Sequence, residues 1–147
     1  MRGMANLHET VAERLGKAGQ RYTPTRKAIV ELLGDGARPL LLAEVLTGGQ
    51  GHLAQSSVYR NMVLLEEAGV VRRVIGTDEF ARYELAEELS SHHHHLICSQ
   101  CGKVEDFALP VQVEKNIESV LADTAIRNGF HDVHHRLDLV GRCAGCA

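Results

Sequence analysis

The sequence predicts an α+β fold in two parts, a helical N-terminal part that ends in a β-hairpin and a small α/β C-terminal part. Two observations predict this division. Runs with apolar residues at helical spacing precede Gly69, and two short strand-like runs follow it. All four cysteines and seven of the nine histidines fall within residues 92–146. We therefore expect two domains, residues 1–86 and residues 87–147.

The elements of the N-terminal part follow from local signals along the chain. We predict helices over residues 26–33, 40–46 and 58–68, and strands over residues 70–75 and 81–85 with a turn at 76–79. Thr23 and Pro24 open the first helix, while Ser56 and Ser57 are expected to cap the third. Three helices followed by a two-stranded ribbon predict a winged helix-turn-helix.

The C-terminal part is predicted to be a small sheet covered by one helix. Short strands are expected over residues 96–98 and 103–107, an amphipathic helix over 111–128 and a last strand over 133–141. The apolar face of the helix carries Val113, Ile117, Val120 and Leu121. Such a sheet with one covering helix buries too little apolar surface alone. We therefore expect two copies of the chain to pair across this sheet as a homodimer.

The four cysteines form two identical steps, Cys98 with Cys101 and Cys143 with Cys146. Each step lets two thiolates from one tight turn reach a single ion, and two such turns supply the four sulfurs of a tetrahedral structural zinc site. The alternatives are disulfides and a redox-active pair. Disulfides are typical of small secreted scaffolds, and no secretion signal is recognisable in this sequence. A redox motif needs one pair at a helix start, and here two pairs lie about 40 residues apart.

The charge distribution separates the two parts. The net charge is −3, yet residues 1–75 hold ten Lys and Arg against seven Asp and Glu, whereas residues 85–147 hold five against nine. This asymmetry indicates a nucleic-acid-facing N-terminal part and a metal-facing C-terminal part. The chain contains no apolar run long enough to span a bilayer. We expect a cytoplasmic protein without a membrane partner.

The start of the third helix carries polar side chains suited to double-stranded DNA. In a winged helix-turn-helix this helix enters the major groove, and a basic wing, here with Arg72 and Arg73, lies along the phosphates. The Tyr59 ring can press against thymine methyls, and two arginines flank the entry to the first helix. The expected DNA contacts are Arg21, Arg26, Ser56, Ser57, Tyr59 and Arg60. The alternative is that the arginines are ordinary solvated charges.

Several segments together resemble the ferric uptake regulator family, in order and over nearly the whole chain. They are residues 21–26 (RYTPTR), 57–62 (SVYRNM), 65–71 (LEEAGVV), 92–104 (HHHHLICSQCGKV), 129–130 (GF), 134–137 (HHRL) and 141–143 (GRC). The resemblance implies a homodimeric, metal-dependent regulator of transcription, expected to be a repressor of metal homeostasis or oxidative-stress genes. Its winged helix would bind a palindromic operator, and its C-terminal domain would form the dimer.

The histidine run supplies two half-sites, because alternate side chains of a strand point the same way. The resemblance assigns a regulatory metal to Glu84, His93, His95 and Asp106. It assigns a second metal to His92, His94, His135 and a glutamate that is either Glu114 or Glu118. Glu84 lies in the DNA-binding part, so an ion held there is expected to clamp the two domains and favour the DNA-competent arrangement.

Two departures from the family pattern bear on the regulatory metal. Residues 37–40 lack the histidine that many members place there, and residues 85–87 lack the cysteine common in zinc-sensing relatives. Mixed imidazole and carboxylate ligands suit Fe(II), Mn(II), Zn(II) or Ni(II), and the oxygen-rich set favours iron or manganese. A peroxide sensor would need iron beside an oxidisable histidine, for which His93 and His95 are candidates.

Two other classes of protein compete with a DNA-binding regulator. A zinc hydrolase would carry a motif such as His-Glu-x-x-His, which does not occur; His8 and Glu9 lack the second histidine. A metallochaperone or metal-storage protein without DNA binding would not need the winged helix of residues 20–85. A DNA shift assay with and without metal separates these classes.

Overall fold

The computed structural model describes residues 4–48 and 54–147 of the chain. Its helices are α1 (Met4–Lys17), α2 (Pro24–Asp35), α3 (Leu42–Gly48), α4 (Gln55–Glu67) and α5 (Val111–Arg127). Its strands are β1 (Leu40–Leu41), β2 (Val71–Ile75), β3 (Ala81–Leu85), β4 (His94–Cys98), β5 (Val104–Phe107) and β6 (Asp138–Gly141). One antiparallel sheet has the order β1-β3-β2; the other has the order β5-β4-β6, with β6 parallel to β4. The predicted α+β class is confirmed.

The main core lies among α1–α4 and the first sheet. As expected, Val58, Met62 and Leu65 of α4 are buried, and they pack with Ile29 and Leu33 of α2. Thr23 caps α2 as predicted, because its Oγ1 accepts the N–H of Arg26 at 3.3 Å. The α4–hairpin arrangement of a winged helix is therefore present.

Helix α1 was not predicted, although it contributes three side chains to this core. Leu7, Val11 and Leu15 recur every four residues, so one stripe of the helix faces α2 and the first sheet. Exposed Glu9 and Glu13 lie between these residues, so the segment is polar in overall composition and the apolar stripe is easily missed. The spacing of these three apolar residues was the signal that could have revealed the helix.

The expected helix over residues 40–46 begins later than predicted. Leu40 and Leu41 instead form an edge strand that pairs with Tyr83 and Arg82 of β3. The Glu44 carboxylate accepts the N–H of Leu41 at 2.8 Å, and so holds the junction between strand and helix. The glycines at positions 48 and 49 predict the end of this helix; α3 ends at Gly48, and Gly49 lies outside the described residues.

The expected serine cap of the third predicted helix is wrong. Helix α4 begins at Gln55 with Ala54 in the cap position, and no side chain caps it. Ser56 and Ser57 therefore lie inside the first turn. The preceding residues 49–53 lie outside the described part of the chain.

The last strand is shorter than predicted, because β6 spans only residues 138–141. Its pairing with β4 starts where Asp138 faces His95, and the preceding residues take an irregular path that brings His135 towards the histidine run. Helix α5 ends at Arg127, close to the expected residue 128.

The C-terminal part leaves an apolar surface uncovered in the single chain. Helix α5 has no buried residue, and Val120 on its expected apolar face is 63% exposed. Leu139 and Val140 of β6 are 48% and 61% exposed. This surface is where we predicted a second copy of the chain to pack. Separately, none of the helices in the described ranges is long and apolar enough to cross a membrane.

Candidate metal centres

The four cysteines come together although 45 residues separate the first from Cys143. Cys98 ends β4 and Cys101 lies on the turn after it, while Cys143 and Cys146 follow β6. Their four sulfur atoms all lie within 4.8 Å of one another. The Sγ atoms of Cys101 and Cys143 are 3.8 Å apart, far beyond the about 2.05 Å of a disulfide. All four thiols are free, so this cysteine cluster has the layout of a four-sulfur metal site.

Backbone amides favour the ionised form of the first thiol. Cys98 Sγ accepts N–H groups from Cys101 at 3.5 Å, Cys143 at 3.4 Å and Gln100 at 3.4 Å. These hydrogen bonds lower the pKa of Cys98 to about 5. Hydrogen bonding to Cys143 and burial raise the pKa of Cys146 to about 12, since crowded sulfurs resist a further negative charge. A cation such as zinc, which prefers four thiolates in a closed site, fits this cluster.

A second group, the Glu84 cluster, joins the hairpin to the second sheet. It consists of Glu84, His93, His95 and Asp106, whose ligand atoms lie within 4.8 Å of one another. Glu84 Oε2 is 2.9 Å from His93 Nε2 and 3.1 Å from His95 Nε2. Glu84 is the penultimate residue of β3, whereas His95 and Asp106 are register partners in β4 and β5. The predicted regulatory residues therefore converge in one place.

The Glu84 carboxylate is held as an anion although it is only 6% exposed. Burial alone would raise its pKa, but hydrogen bonds from His93 and His95 and the charge of Arg72 outweigh burial and hold the pKa well below its usual range. In turn, the hydrogen bond to Glu84 raises the pKa of His93 to about 9. Burial raises the pKa of Asp106. The site thus concentrates negative charge where a divalent cation can replace imidazole protons.

The third group, the Glu114 cluster, lies on the opposite face of the histidine run. Glu114 of α5 is 2.9 Å from the Nε2 atoms of both His92 and His94, and its Oε1 is 2.6 Å from His135 Nε2. The contact with His94 is the main cause that lowers the pKa of Glu114 to about 2. Glu118, one turn further along α5, is exposed and is not among these groups. Of the two glutamates left open by the sequence, the structure brings Glu114 to the histidines.

Residues that sequence reasoning missed hold the ligand side chains from behind. Arg72 pairs with Glu84 Oε1 at 2.6 Å through both Nε and Nη2, and Asp138 lies 3.3 Å from His95 Nδ1. Glu87 contacts His92 Nδ1 with one oxygen and lies 3.7 Å from Arg72 Nη1 with the other. Such outer partners fix the ring orientation of metal-binding histidines. Arg72 could have been found from the hairpin register, which sets it opposite Glu84, whereas nothing in the sequence distinguishes Glu87 and Asp138 from solvated charges.

In each histidine cluster one buried atom supports the presence of a cation. Asp106 Oδ1 and His135 Nε2 are buried in the described part of the chain and make no well-aligned hydrogen bond, although His135 Nε2 lies 2.6 Å from Glu114 Oε1. A buried polar atom without a well-aligned hydrogen bond is unfavourable by about 1–3 kcal/mol, so a cation is a suitable partner for each. In both cases the atom faces the other donors of its cluster. Imidazole and carboxylate donors in these proportions fit iron, manganese, zinc or nickel.

The predicted DNA-contacting residues divide into two groups. Tyr59 is 55% exposed, and Ser56, Arg60 and Arg21 are also exposed on the surface around α4. By contrast, Arg26 and Ser57 take part in local packing. Arg26 Nε donates to Asn61 Oδ1 at 2.8 Å and its Nη1 donates to the Arg21 carbonyl, while Asn61 Nδ2 donates to the Ser57 carbonyl at 2.8 Å. Arg26 thus fastens the start of α2 to α4.

The arginines of the hairpin are ion-paired, contrary to the expectation of a basic wing. Arg73 Nε lies 3.0 Å from Glu66 Oε2 of α4, and its guanidinium lies 5.9 Å from the centre of the Tyr83 ring. Arg72 is occupied by Glu84, as described above. Both charges are paired within the chain, Arg73 with an acidic residue of α4 and Arg72 with an acidic residue of β3.

Comparisons with known proteins bear on the family and the fold of this chain. A family model described as the ferric uptake regulator family matches residues 17–140. The peroxide operon regulator of Bacillus subtilis strain 168 is 33% identical over 138 residues, which cover 92% of this chain and 90% of that protein. The peroxide-responsive repressor PerR of Staphylococcus epidermidis is 29% identical over 145 residues, which cover 95% and 89%.

Solved structures show the same fold. The ferric uptake regulator of Pseudomonas aeruginosa with manganese has a TM-score of 0.70 and 27% identity, with 90% of this chain and 96% of that chain covered. A zinc-bound manganese uptake regulator has a TM-score of 0.63 and 32% identity, with 91% and 98% covered. The ferric uptake regulator of Helicobacter pylori has a TM-score of 0.75 at 24% identity, with 99% and 94% covered, which bears on the fold alone.

Proposed function

Because this chain belongs to the ferric uptake regulator family, we propose that it is a metal-responsive repressor of transcription that binds DNA as a homodimer. The genes under its control would serve metal homeostasis or the response to peroxide. Relatives named as peroxide regulators, including one 33% identical over most of both chains, support the second of these roles. The solved structures of iron and manganese regulators support the first.

One observation carries this proposal. The donors of the Glu84 cluster come from both halves of the chain, Glu84 from the hairpin that follows α4 and His93, His95 and Asp106 from the second sheet. Residues that share an ion across this boundary hold the winged helix and the sheet in one orientation. Added metal then shifts the population of molecules towards that orientation, and the size of the shift is set by how much more tightly the ion binds that orientation than any other.

Each of the three clusters has its own proposed role. The four cysteines hold structural zinc, which joins the last residues of the chain to the turn after β4. The Glu84 cluster holds the regulatory ion, for which its two carboxylates favour iron or manganese over zinc or nickel. The Glu114 cluster holds a further ion between α5 and the histidine run, with Glu114 rather than Glu118 as the carboxylate. When bound, each ion supplies a positive charge that the clustered thiolates and carboxylates neutralise.

The DNA surface is formed by the exposed start of α4. Ser56, Tyr59 and Arg60 lie outward there, where hydrogen-bond donors and an aromatic ring can meet base edges and phosphates. Arg21 is exposed near the start of α2 and adds a positive charge. A homodimer formed over the uncovered apolar surface of α5 and β6 would present two such helices, which fits a palindromic operator. The domains expected at residues 1–86 and 87–147 are the units that would move.

The proposal is tested by titrating metal into the zinc-containing protein and measuring its affinity for DNA. Fe(II), Mn(II), Zn(II) and Ni(II) are added separately without oxygen, with DNA from upstream of the protein's own gene. We expect iron or manganese to give tight, salt-sensitive binding. We expect Arg60→Ala to weaken DNA binding. It should also reduce the slope of log affinity against log salt concentration, called here the salt slope, by about 1, as for a lost phosphate contact.

Two controls sharpen this titration. Arg73→Ala is the matched arginine that already pairs with Glu66, and it should leave the salt slope unchanged. Hydrogen peroxide added to the iron-loaded protein distinguishes the two roles, because only a peroxide regulator should lose DNA binding. Failure of all four metals to promote binding would contradict the proposed function.

The Glu114 cluster makes a separate prediction that uses two glutamates of one helix. Glu114→Ala should weaken metal binding at this cluster by at least about 100-fold, because it removes the one carboxylate that contacts all three histidines. Glu118→Ala is the matched control and should change nothing. Competition with a chromophoric chelator measures both affinities. Equal losses in the two variants would contradict the assignment of Glu114.

A further inference from the structure

The β2–β3 hairpin meets the second sheet at two separate places. Glu84, near the end of β3, belongs to the metal cluster described above. The hairpin turn, residues 76–80, lies at the other end of the same two strands. There it meets the first knuckle, defined here as residues 98–102 with the first two cysteines. The contacts at this second place use no side chain of the Glu84 cluster.

A hydrogen bond and a close backbone approach join the turn to the knuckle. The Thr77 hydroxyl donates to the carbonyl oxygen of Cys98. Gly102 has a φ of +77°, and a Cβ on it would lie 2.7 Å from the Cβ of Asp78. Real Cβ atoms do not come this close, so only glycine allows the present approach. The carbonyl oxygen of Gly102 would in turn lie 3.3 Å from a Cβ on Gly76.

The turn is held in shape by a partly buried ion pair. Arg82 is 6% exposed, and its two terminal nitrogens lie 2.8 Å and 2.9 Å from the two oxygens of Asp78. This two-pronged pairing fixes the side chain that faces Gly102. The contact is therefore made by an ordered turn.

A small apolar cluster continues the contact beneath the hairpin. Val74 of β2 is buried together with Ile97 of β4 and Val104 of β5, at 2%, 5% and 2% exposed. Val74 comes from the first sheet, whereas the other two come from the second. Burial of these side chains favours a hairpin that lies against the second sheet along its length.

From these contacts we infer that the turn and the first knuckle form a latch that holds the winged helix on the second sheet without the regulatory ion. Thr77, Asp78 and Gly102 are its positioning residues. The regulatory ion then acts on a hairpin already anchored at its tip, so it adjusts the angle of the recognition helix about that anchor. The inference deepens the proposed function and rests on it only for its effect on DNA.

The experiment compares two glycine variants with matched backbone strain. Gly102→Ala places a methyl group against Asp78, whereas Gly129→Ala, at a φ of +79°, meets nothing within 4 Å. Hydrogen–deuterium exchange at residues 76–80 is measured with the cysteine cluster filled and the regulatory metal chelated. We expect exchange to rise at least about tenfold in Gly102→Ala and to stay unchanged in Gly129→Ala.

A second variant guards against damage to the knuckle itself. Thr77→Val keeps the shape of the side chain but removes the hydroxyl, and exchange should rise about fivefold, the equivalent of one hydrogen bond. Zinc content is measured in every sample. If exchange at residues 76–80 in Thr77→Val matches the parent, or if the parent turn is already unprotected without regulatory metal, the latch is wrong.

DNA binding supplies the final measurement. At saturating regulatory metal we expect the Gly102→Ala protein, with its zinc retained, to bind DNA at least about fivefold more weakly than Gly129→Ala. If the parent fails to bind DNA with any metal while the exchange results hold, the latch stands and the proposed function fails. If the turn loosens but DNA affinity is unchanged, the positioning role is overturned.

Discussion

Cys143→Ser is expected to abolish zinc binding at the cysteine cluster and to unfold the C-terminal part of the chain. The residue lies on the segment after β6 and contacts Cys98 and Cys101 of the first knuckle. The substitution therefore removes a zinc ligand that joins these two distant segments of the chain. Structural zinc contributes apparent binding free energies of about 10–16 kcal/mol in small zinc domains. A hydroxyl is a poor replacement for one of four thiolates, because zinc in such sites prefers sulfur.

Zinc content and thermal unfolding measure this result. We expect less than about one-tenth of the parent zinc and a melting temperature lower by about 10 °C or more, because several kcal/mol are lost. Loss of DNA binding and of the dimer should follow. Arg142→Ala changes the neighbouring exposed residue and should retain full zinc. A Cys143→Ser protein with parental zinc and stability would show that the cluster does not depend on four sulfurs.

Glu84→Ala is expected to abolish the dependence of DNA binding on metal while leaving the zinc-containing fold in place. Glu84 is the cluster's carboxylate that contacts both His93 and His95, and it comes from the DNA-binding half. Its removal should weaken binding of the regulatory metal by at least about 100-fold, beyond the 10–100-fold loss of affinity typical when a residue behind the ligands is removed. DNA affinity should then stay at its metal-free level over the whole titration.

Two companion variants separate ligand loss from other effects of this substitution. Glu84→Gln keeps the size of the side chain and an oxygen that can accept from Arg72, so it tests the role of the charge. Glu79→Ala removes an exposed carboxylate from the same hairpin and should titrate like the parent. Calorimetry measures metal affinity, and fluorescence anisotropy measures DNA binding. Parental metal response in Glu84→Ala would exclude the cluster as the regulatory site.

Much of the cysteine and histidine chemistry could be predicted because it depends on short-range geometry. Two cysteines three residues apart share a turn, and alternate histidines of a strand share a face, whatever surrounds them. The family resemblance then indicated Glu84, Asp106 and His135 as partners. The structure brings each of them to its predicted group.

Other features depended on packing between distant elements. Leu40 and Leu41 suit a helix by local preference, but their backbone pairing with β3 makes them an edge strand. Arg72 and Arg73 read as a basic wing in sequence, yet Glu84 and Glu66 lie close enough to pair with them. Arg72 and Glu84 face each other in the register of the hairpin, so only the pairing of Arg73 with Glu66 depended on how α4 packs against β2.

By itself the sequence determined most of the helices and strands, though not α1 or β1, together with the two cysteine steps and the alternation that divides His92–His95 between two clusters, because each follows from local backbone geometry. Tertiary structure alone decided that Glu114 and not Glu118 meets the histidines, since the two lie four residues apart, about 6 Å along α5. It alone placed Thr77 and Asp78 against the first knuckle. Such contacts depend on how whole elements are positioned, to within a few ångströms, and the pattern of residues along one element carries no record of that distance.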